Sequence, residues 1–307
     1  MTDKTPNLSV NIAGVTFKNP IIAASGTFGF AREYAEFYDV SVLGGISTKG
    51  LTLLPREGNP GTRIAETPMG ILNSVGLQNP GVEQFIAKEL SFLKNLDTVV
   101  IANIAGNTEQ DYVEIAARLS DTAVDMLELN ISCPNVKSGG IAFGILPASV
   151  ERITRIVKAV SKKPLIVKLS PNVSSIADNA CAAETGGADA ISLINTLTGM
   201  AINYKTRRPI LGNKTGGLSG PAVKPIALRM VHEAYKAVQL PIIGMGGVTT
   251  EEDVFEFMIA GACAVQVGSA NLFDPLASFN LVKGLTSLAK ACKIKDINEL
   301  VGSLRIE

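Results

Sequence analysis

The chain has 307 residues, 46% of them hydrophobic, and 28 Lys+Arg balance 28 Asp+Glu for a formal net charge of zero. That apolar share is ample for a large core, and an α/β barrel of this length forms one domain, here residues 1–307. A neutral chain lacks the footprint of a nucleic-acid or anionic-membrane binder. It has no run of 18 apolar residues and its opening MTDKTPNLSV lacks a signal-peptide core, so a cytoplasmic location is expected.

In chain order, LSVNIAGVTFKNP (8–20) reads as a small hairpin around Ala-Gly. Eight short runs rich in Val, Ile and Leu follow: PIIAAS (20–25), VLGGIST (42–48), TVVIANI (98–104), MLELNIS (126–132), PLIVKLS (164–170), DAISLIN (189–195), PIIGMGG (241–247) and CAVQVGS (263–269). Helical patterns lie between them, among others at 82–94, 108–120, 148–161, 221–238 and 251–260. Near-continuous apolar strands alternating with helices imply a parallel sheet covered on both faces. Eight βα units in about 250 residues favour closure into a (β/α)8 TIM barrel over an open doubly wound sheet. Two long connections, 49–80 and 196–220, follow barrel strands and are expected as loops on the C-terminal face, where barrel active sites form.

The four cysteines, Cys133, Cys181, Cys263 and Cys292, are widely spaced, which suits neither a redox pair nor a local metal or cluster motif. The one histidine, His232, sits at helical spacing among apolar residues and is read as a helix-packing residue. Histidine-dependent triads and metal sites therefore lack material, and no metal ligand set is expected. Cys181 and Cys263 are expected as small buried hydrophobes. Cys133, one residue past the fourth strand in a polar loop, is either such a residue or a reactive thiol.

The strand ends carry the remaining chemistry. Gly246-Gly247 and Gly268-Ser269, after strands seven and eight, let a backbone approach an anion; the bland alternative is ordinary strand-to-helix turns. Gly244-Met-Gly246 has Thr249 where a third glycine would complete a dinucleotide fingerprint, so no NAD site is visible on this chain. Lys49 and Lys168 end apolar strands, where a buried cation needs an anion: a ligand that becomes negative, or an internal partner, with Glu128 the candidate for Lys168. Asn73, Asn103, Asn130 and Asn195 fall at or near strand ends, and amides that both donate and accept suit a flat heterocycle.

The motifs NSVGLQNPG, NISCPNVKSGGIAFG, LINTLTG, GGLSGPAVKP and IIGMGGV, in this order over nearly the whole chain, resemble the class 1 dihydroorotate dehydrogenases, and CPNVKSGGIAFG is most similar to the class 1B catalytic subunit. The resemblance implies oxidation of dihydroorotate to orotate in pyrimidine biosynthesis. Cys133 would take a proton from C5, and a hydride would pass from C6 to N5 of FMN. It implies FMN contacts at Ser25, Lys49, Gly50, Asn103, Asn130, Lys168, Ile194, Gly220, Gly246, Gly247, Gly268 and Ser269. Substrate contacts are implied at Lys49, Asn73, Ser74, Val75, Gly76, Leu77, Asn130, Asn195 and Thr196. It further implies a homodimer of barrels within a heterotetramer, each barrel joined to an electron-transfer subunit that carries FAD and a [2Fe–2S] cluster and reduces NAD. Alternatives are a fumarate-reducing class 1A enzyme, a dihydropyrimidine dehydrogenase module, a tRNA dihydrouridine synthase, and a phosphate-binding barrel without catalysis. The neutral charge argues against the RNA-binding alternative.

Overall fold

The computed structural model describes residues 5–131 and 140–306, so Cys133 lies outside the described residues. The eight apolar runs form the eight parallel strands of a closed barrel: Ile21–Ala23, Gly45–Ser47, Val99–Ile104, Met126–Asn130, Leu165–Lys168, Ala190–Leu193, Ile242–Met245 and Ala264–Val267. Each pairs with the next in sequence, and the eighth pairs with the first. Every residue of these strands is buried, because helices cover the outside while side chains fill the inside. The Val10–Ile12 and Val15–Phe17 hairpin precedes the first strand, and its Ala13 and Gly14 turn residues both have positive φ, at 50° and 86°.

Helices form where expected. Glu109–Ser120 and Glu251–Ala260 each begin with a capping box, Thr108 with Asp111 and Thr250 with Asp253. Pro147–Val160 and Lys224–Ala237 carry proline in the first turn. The segment after strand two runs from Val82–Gln84 through a π turn at Phe85–Glu89 into Leu90–Leu93. His232 lies on Lys224–Ala237, with Nδ1 3.3 Å from the Ala260 carbonyl. Helices at Ile176–Thr185 and Ala277–Ala291 complete the outer layer. Among the described residues no helix is long and apolar enough to cross a membrane.

Two expectations need correction. Cys181 is exposed on the Ala-rich helix Ile176–Thr185, since the small alanines of that helix pack inward and leave the thiol outside. Cys263 does pack inward: its thiol lies 3.2 Å from the Ile242 carbonyl, and burial pushes it up to about 12. The long connections, expected as loops, contain strands and pair with each other. Their sheet runs Leu197–Gly199, Gly216–Ser219, Gly70–Asn73, Ile64–Thr67, all antiparallel, around a small core of Ala65, Leu72 and Leu211. This sheet stands beside the C-terminal mouth of the barrel and brings Asn73 opposite Gly217.

Candidate active site

Between that sheet and the strand ends lies a cavity of about 350 Å³. It gathers almost all of the residues singled out above: Ser25, Lys49, Gly50, Asn73, Val75, Gly76, Leu77, Asn103, Asn130, Lys168, Ile194, Asn195, Thr196, Gly246, Gly247, Gly268 and Ser269. Ser74 and Gly220 fall outside the lining. Ser74 is buried behind it, its N–H donating to the Arg63 carbonyl, and Gly220 backs the turn after strand seven. Ile71, Leu218, Met245, Leu272 and Gln266 also form its walls, and none of them stood out in the sequence.

The floor is a polar layer inside the barrel. Side chains alternate along a strand, so Glu128 and Asn130 share the inner face, and the register sets Asn103 beside Glu128 and Lys168 beside both Asn130 and Ser192. Glu128 is fully buried. Its Oε2 accepts from Ser47 Oγ at 2.8 Å and Asn103 Nδ2 at 2.6 Å, and its Oε1 accepts from Ser192 Oγ at 2.8 Å and Gln266 Nε2 at 2.6 Å. Lys168 Nζ stands 4.0 Å away, bearing out the expected pair, and 3.4 Å from Ser25 Oγ. Burial resists ionisation of Glu128, but the Lys168 cation and the hydrogen bonds from Ser192, Asn103 and Gln266 outweigh it and hold the carboxyl below the ordinary carboxylate value.

From this carboxylate the asparagines chain outward. Asn130 Nδ2 donates to Asn103 Oδ1 at 3.2 Å, and Asn195 Nδ2 to Asn130 Oδ1 at 3.4 Å. Tyr112, buried on Glu109–Ser120, donates to the Asn130 carbonyl at 2.9 Å and fixes that strand end. Asn172 ties down the neighbouring loop, donating to the Thr196 carbonyl at 3.0 Å and accepting from the Thr198 N–H at 2.9 Å.

The far end of the cavity is built from backbone. Gly246 and Gly247 have φ of 126° and 84°, and a Cβ on Gly247 would lie 2.9 Å from the Gly220 carbonyl oxygen, so only glycine lets this turn pass so close. A Cβ on Gly268, by contrast, would meet nothing nearer than Ala24 at 3.8 Å. That open space lies beside the strand-eight turn on the cavity wall.

The family model for dihydroorotate dehydrogenase matches residues 7–288. The chain belongs to the dihydroorotate dehydrogenase family. Its relatives include the protein named dihydroorotate dehydrogenase B (NAD(+)), catalytic subunit, of Alkaliphilus metalliredigens, 56% identical over 298 residues, covering 97% of this chain and 99% of that one. The protein of the same name in Thermoanaerobacter pseudethanolicus is 54% identical over 301 residues, covering 98% and 100%. Among solved structures, the dihydroorotate dehydrogenase of Eimeria tenella in complex with ferulenol superposes with a TM-score of 0.83 at 24% identity, covering 98% of this chain and 89% of that one, and so shares the fold. In a dihydroorotate dehydrogenase barrel the cavity at the strand C-termini is where substrate and flavin are to be sought.

Proposed function

We propose that this chain is the catalytic barrel of a two-chain dihydroorotate dehydrogenase, oxidising dihydroorotate to orotate and sending the electrons through a partner subunit to NAD. The observation that carries this reading is the meeting, in one cavity, of both strand-end lysines with four asparagines and two glycine turns. The relatives' names, with their "NAD(+)" and "catalytic subunit", favour the NAD-linked form over the fumarate-reducing one.

The cavity's chemistry suits FMN. Gln266 Oε1 is buried on the floor without a partner, an acceptor for a heterocyclic N–H, and the open space beside Gly268 leaves room for a phosphate to approach the backbone there. Ser25, Gly50, Asn103, Lys168, Ile194, Gly246, Gly247, Gly268 and Ser269 would hold the cofactor, with Gly220 supporting Gly247 from behind. FMN, when bound, accepts the hydride that leaves C6 of dihydroorotate.

The chain's own residues do the rest. Dihydroorotate presents a carboxylate and a ring of N–H and C=O groups. Lys49 offers the cation, and Asn73, Asn130, Asn195 and the 74–77 segment with Thr196 clamp the ring. Cys133 holds the basic position for the C5 proton. The sequence carries no dinucleotide fingerprint, which supports reduction of NAD on a second chain, with FAD and a [2Fe–2S] cluster as the conduit. The working assembly is a homodimer of barrels, each with one such partner, in the cytoplasm.

The test is an acceptor assay on the isolated chain loaded with FMN. It is expected to reduce an artificial dye with dihydroorotate but to reduce NAD poorly until the partner is added. Efficient NAD reduction by the single chain contradicts the two-chain reading, and efficient fumarate reduction points to the class 1A form instead.

A further inference from the structure

Glu128 has no place in the chemistry just described, yet it is the most connected polar side chain under the cavity. A fully buried carboxylate is costly unless its lone pairs and charge are met, and here two serines, two amides and Lys168 meet them. Three of those partners, Asn103, Lys168 and Gln266, line the cavity. We infer that Glu128 is a positioning residue of the flavin site, fixing which way the asparagine amides point and balancing the charge of Lys168.

An ionised carboxylate only accepts. Asn103 must therefore present its NH₂ to Glu128, at 2.6 Å, which turns its carbonyl outward. That carbonyl accepts from the Asn130 NH₂, whose own carbonyl accepts from Asn195. Three amides thus take their orientation in sequence from one acceptor-only group. Gln266 is oriented in the same way: its NH₂ goes to Glu128, which leaves Oε1 as the orphan acceptor. A site that reads a heterocycle by N–H and C=O pattern depends on these orientations, since a reversed amide offers a donor where an acceptor is needed.

With Glu128 4.0 Å from Lys168, the buried layer is neutral overall. A neutral layer stabilises a ligand that gains negative charge less than a bare cation does. Glu128 therefore tempers the pull of Lys168 on electrons entering the bound cofactor.

This inference rests on the FMN reading above. Its test uses two variants, loaded with FMN and compared with wild type by dye-equilibrated redox titration and by the spectral change on orotate binding. Glu128→Gln keeps the shape and removes the charge. It is expected to shift the reduced-to-oxidised ratio at fixed potential about tenfold toward reduced, or about 30 mV upward for a two-electron couple. Glu128→Asp keeps the charge but withdraws it by one methylene, so that the amides lose their anchor. It is expected to stay near the wild-type potential and to bind orotate about tenfold more weakly. If Glu128→Gln gives no folded barrel, Glu128→Asp decides alone through orotate affinity. A folded Glu128→Gln at the wild-type potential, or Glu128→Asp with wild-type orotate affinity, overturns the inference while wild-type flavin binding leaves the functional reading standing. A wild-type protein that takes up no FMN overturns both.

Discussion

Cys133→Ala is expected to slow reduction of bound FMN by dihydroorotate by about 10²–10⁴-fold, the usual contribution of a positioned general base, while FMN affinity stays unchanged. The reason is chemical economy. The chain has one histidine, and it packs on the outer helix Lys224–Ala237, against the Ala260 carbonyl. Glu128 is buried and committed to four donors and Lys168. Of the cysteines, Cys181 and Cys292 are exposed, and Cys263 is held neutral by burial. On the proposed reading Cys133, three residues beyond Asn130 in the sequence, takes the proton. Stopped-flow measurement of flavin bleaching checks this, and equal rates in variant and wild type would remove Cys133 from the base role. Cys133→Ser should retain slow reduction that speeds up toward high pH, because a hydroxyl gives up its proton far less readily than a thiol; a flat profile would count against it.

Lys168→Met is expected to cost about 3–5 kcal/mol of stability in the FMN-free protein, since it strands the Glu128 carboxylate in the barrel without a cation. The pH dependence gives the test its sign. In the wild type the folded-state carboxyl of Glu128 is lowered below its ordinary 4.5, so its contribution is present above that value and is lost as pH falls through the folded one. Without Lys168 the carboxyl moves upward, and folding then favours the protonated form. The stability deficit of Lys168→Met should therefore be largest near neutral pH and shrink as pH is lowered toward the unfolded carboxyl value. Urea denaturation at several pH values reads this directly. A deficit that is small, or that grows on acidification, would show that the two charges are not coupled.

The barrel was readable in the sequence because its physics is repetitive. Strands buried on both faces become unbroken apolar runs such as VVIANI, and helix starts announce themselves as Thr108 with Asp111 or Thr250 with Asp253. The mouth sheet escaped because its strands are short and sit among Gly and Pro. The alternation in Ile64–Thr67, with Ala65 buried between exposed Ile64 and Glu66, was the available signal, and it spans only four residues. The start of the helix Ile176–Thr185 is marked by Ser175, whose hydroxyl accepts from the Asp178 N–H three residues on. Lys49, Lys168 and the asparagines were visible one by one as polar residues at the ends of apolar strands. The convergence of Ser47, Ser192 and Gln266 on Glu128 was not, because only closure of the barrel brings together side chains up to 138 positions apart.

The central claim is that this cavity holds FMN and that dihydroorotate delivers its hydride there. Anaerobic titration of the purified, FMN-loaded chain with dihydroorotate tests it most directly. The expected result is a yellow protein whose flavin absorbance is bleached in proportion to added substrate, with orotate formed in equal amount. A protein that takes up no FMN, or one whose bound flavin stays oxidised in the presence of dihydroorotate, would contradict it.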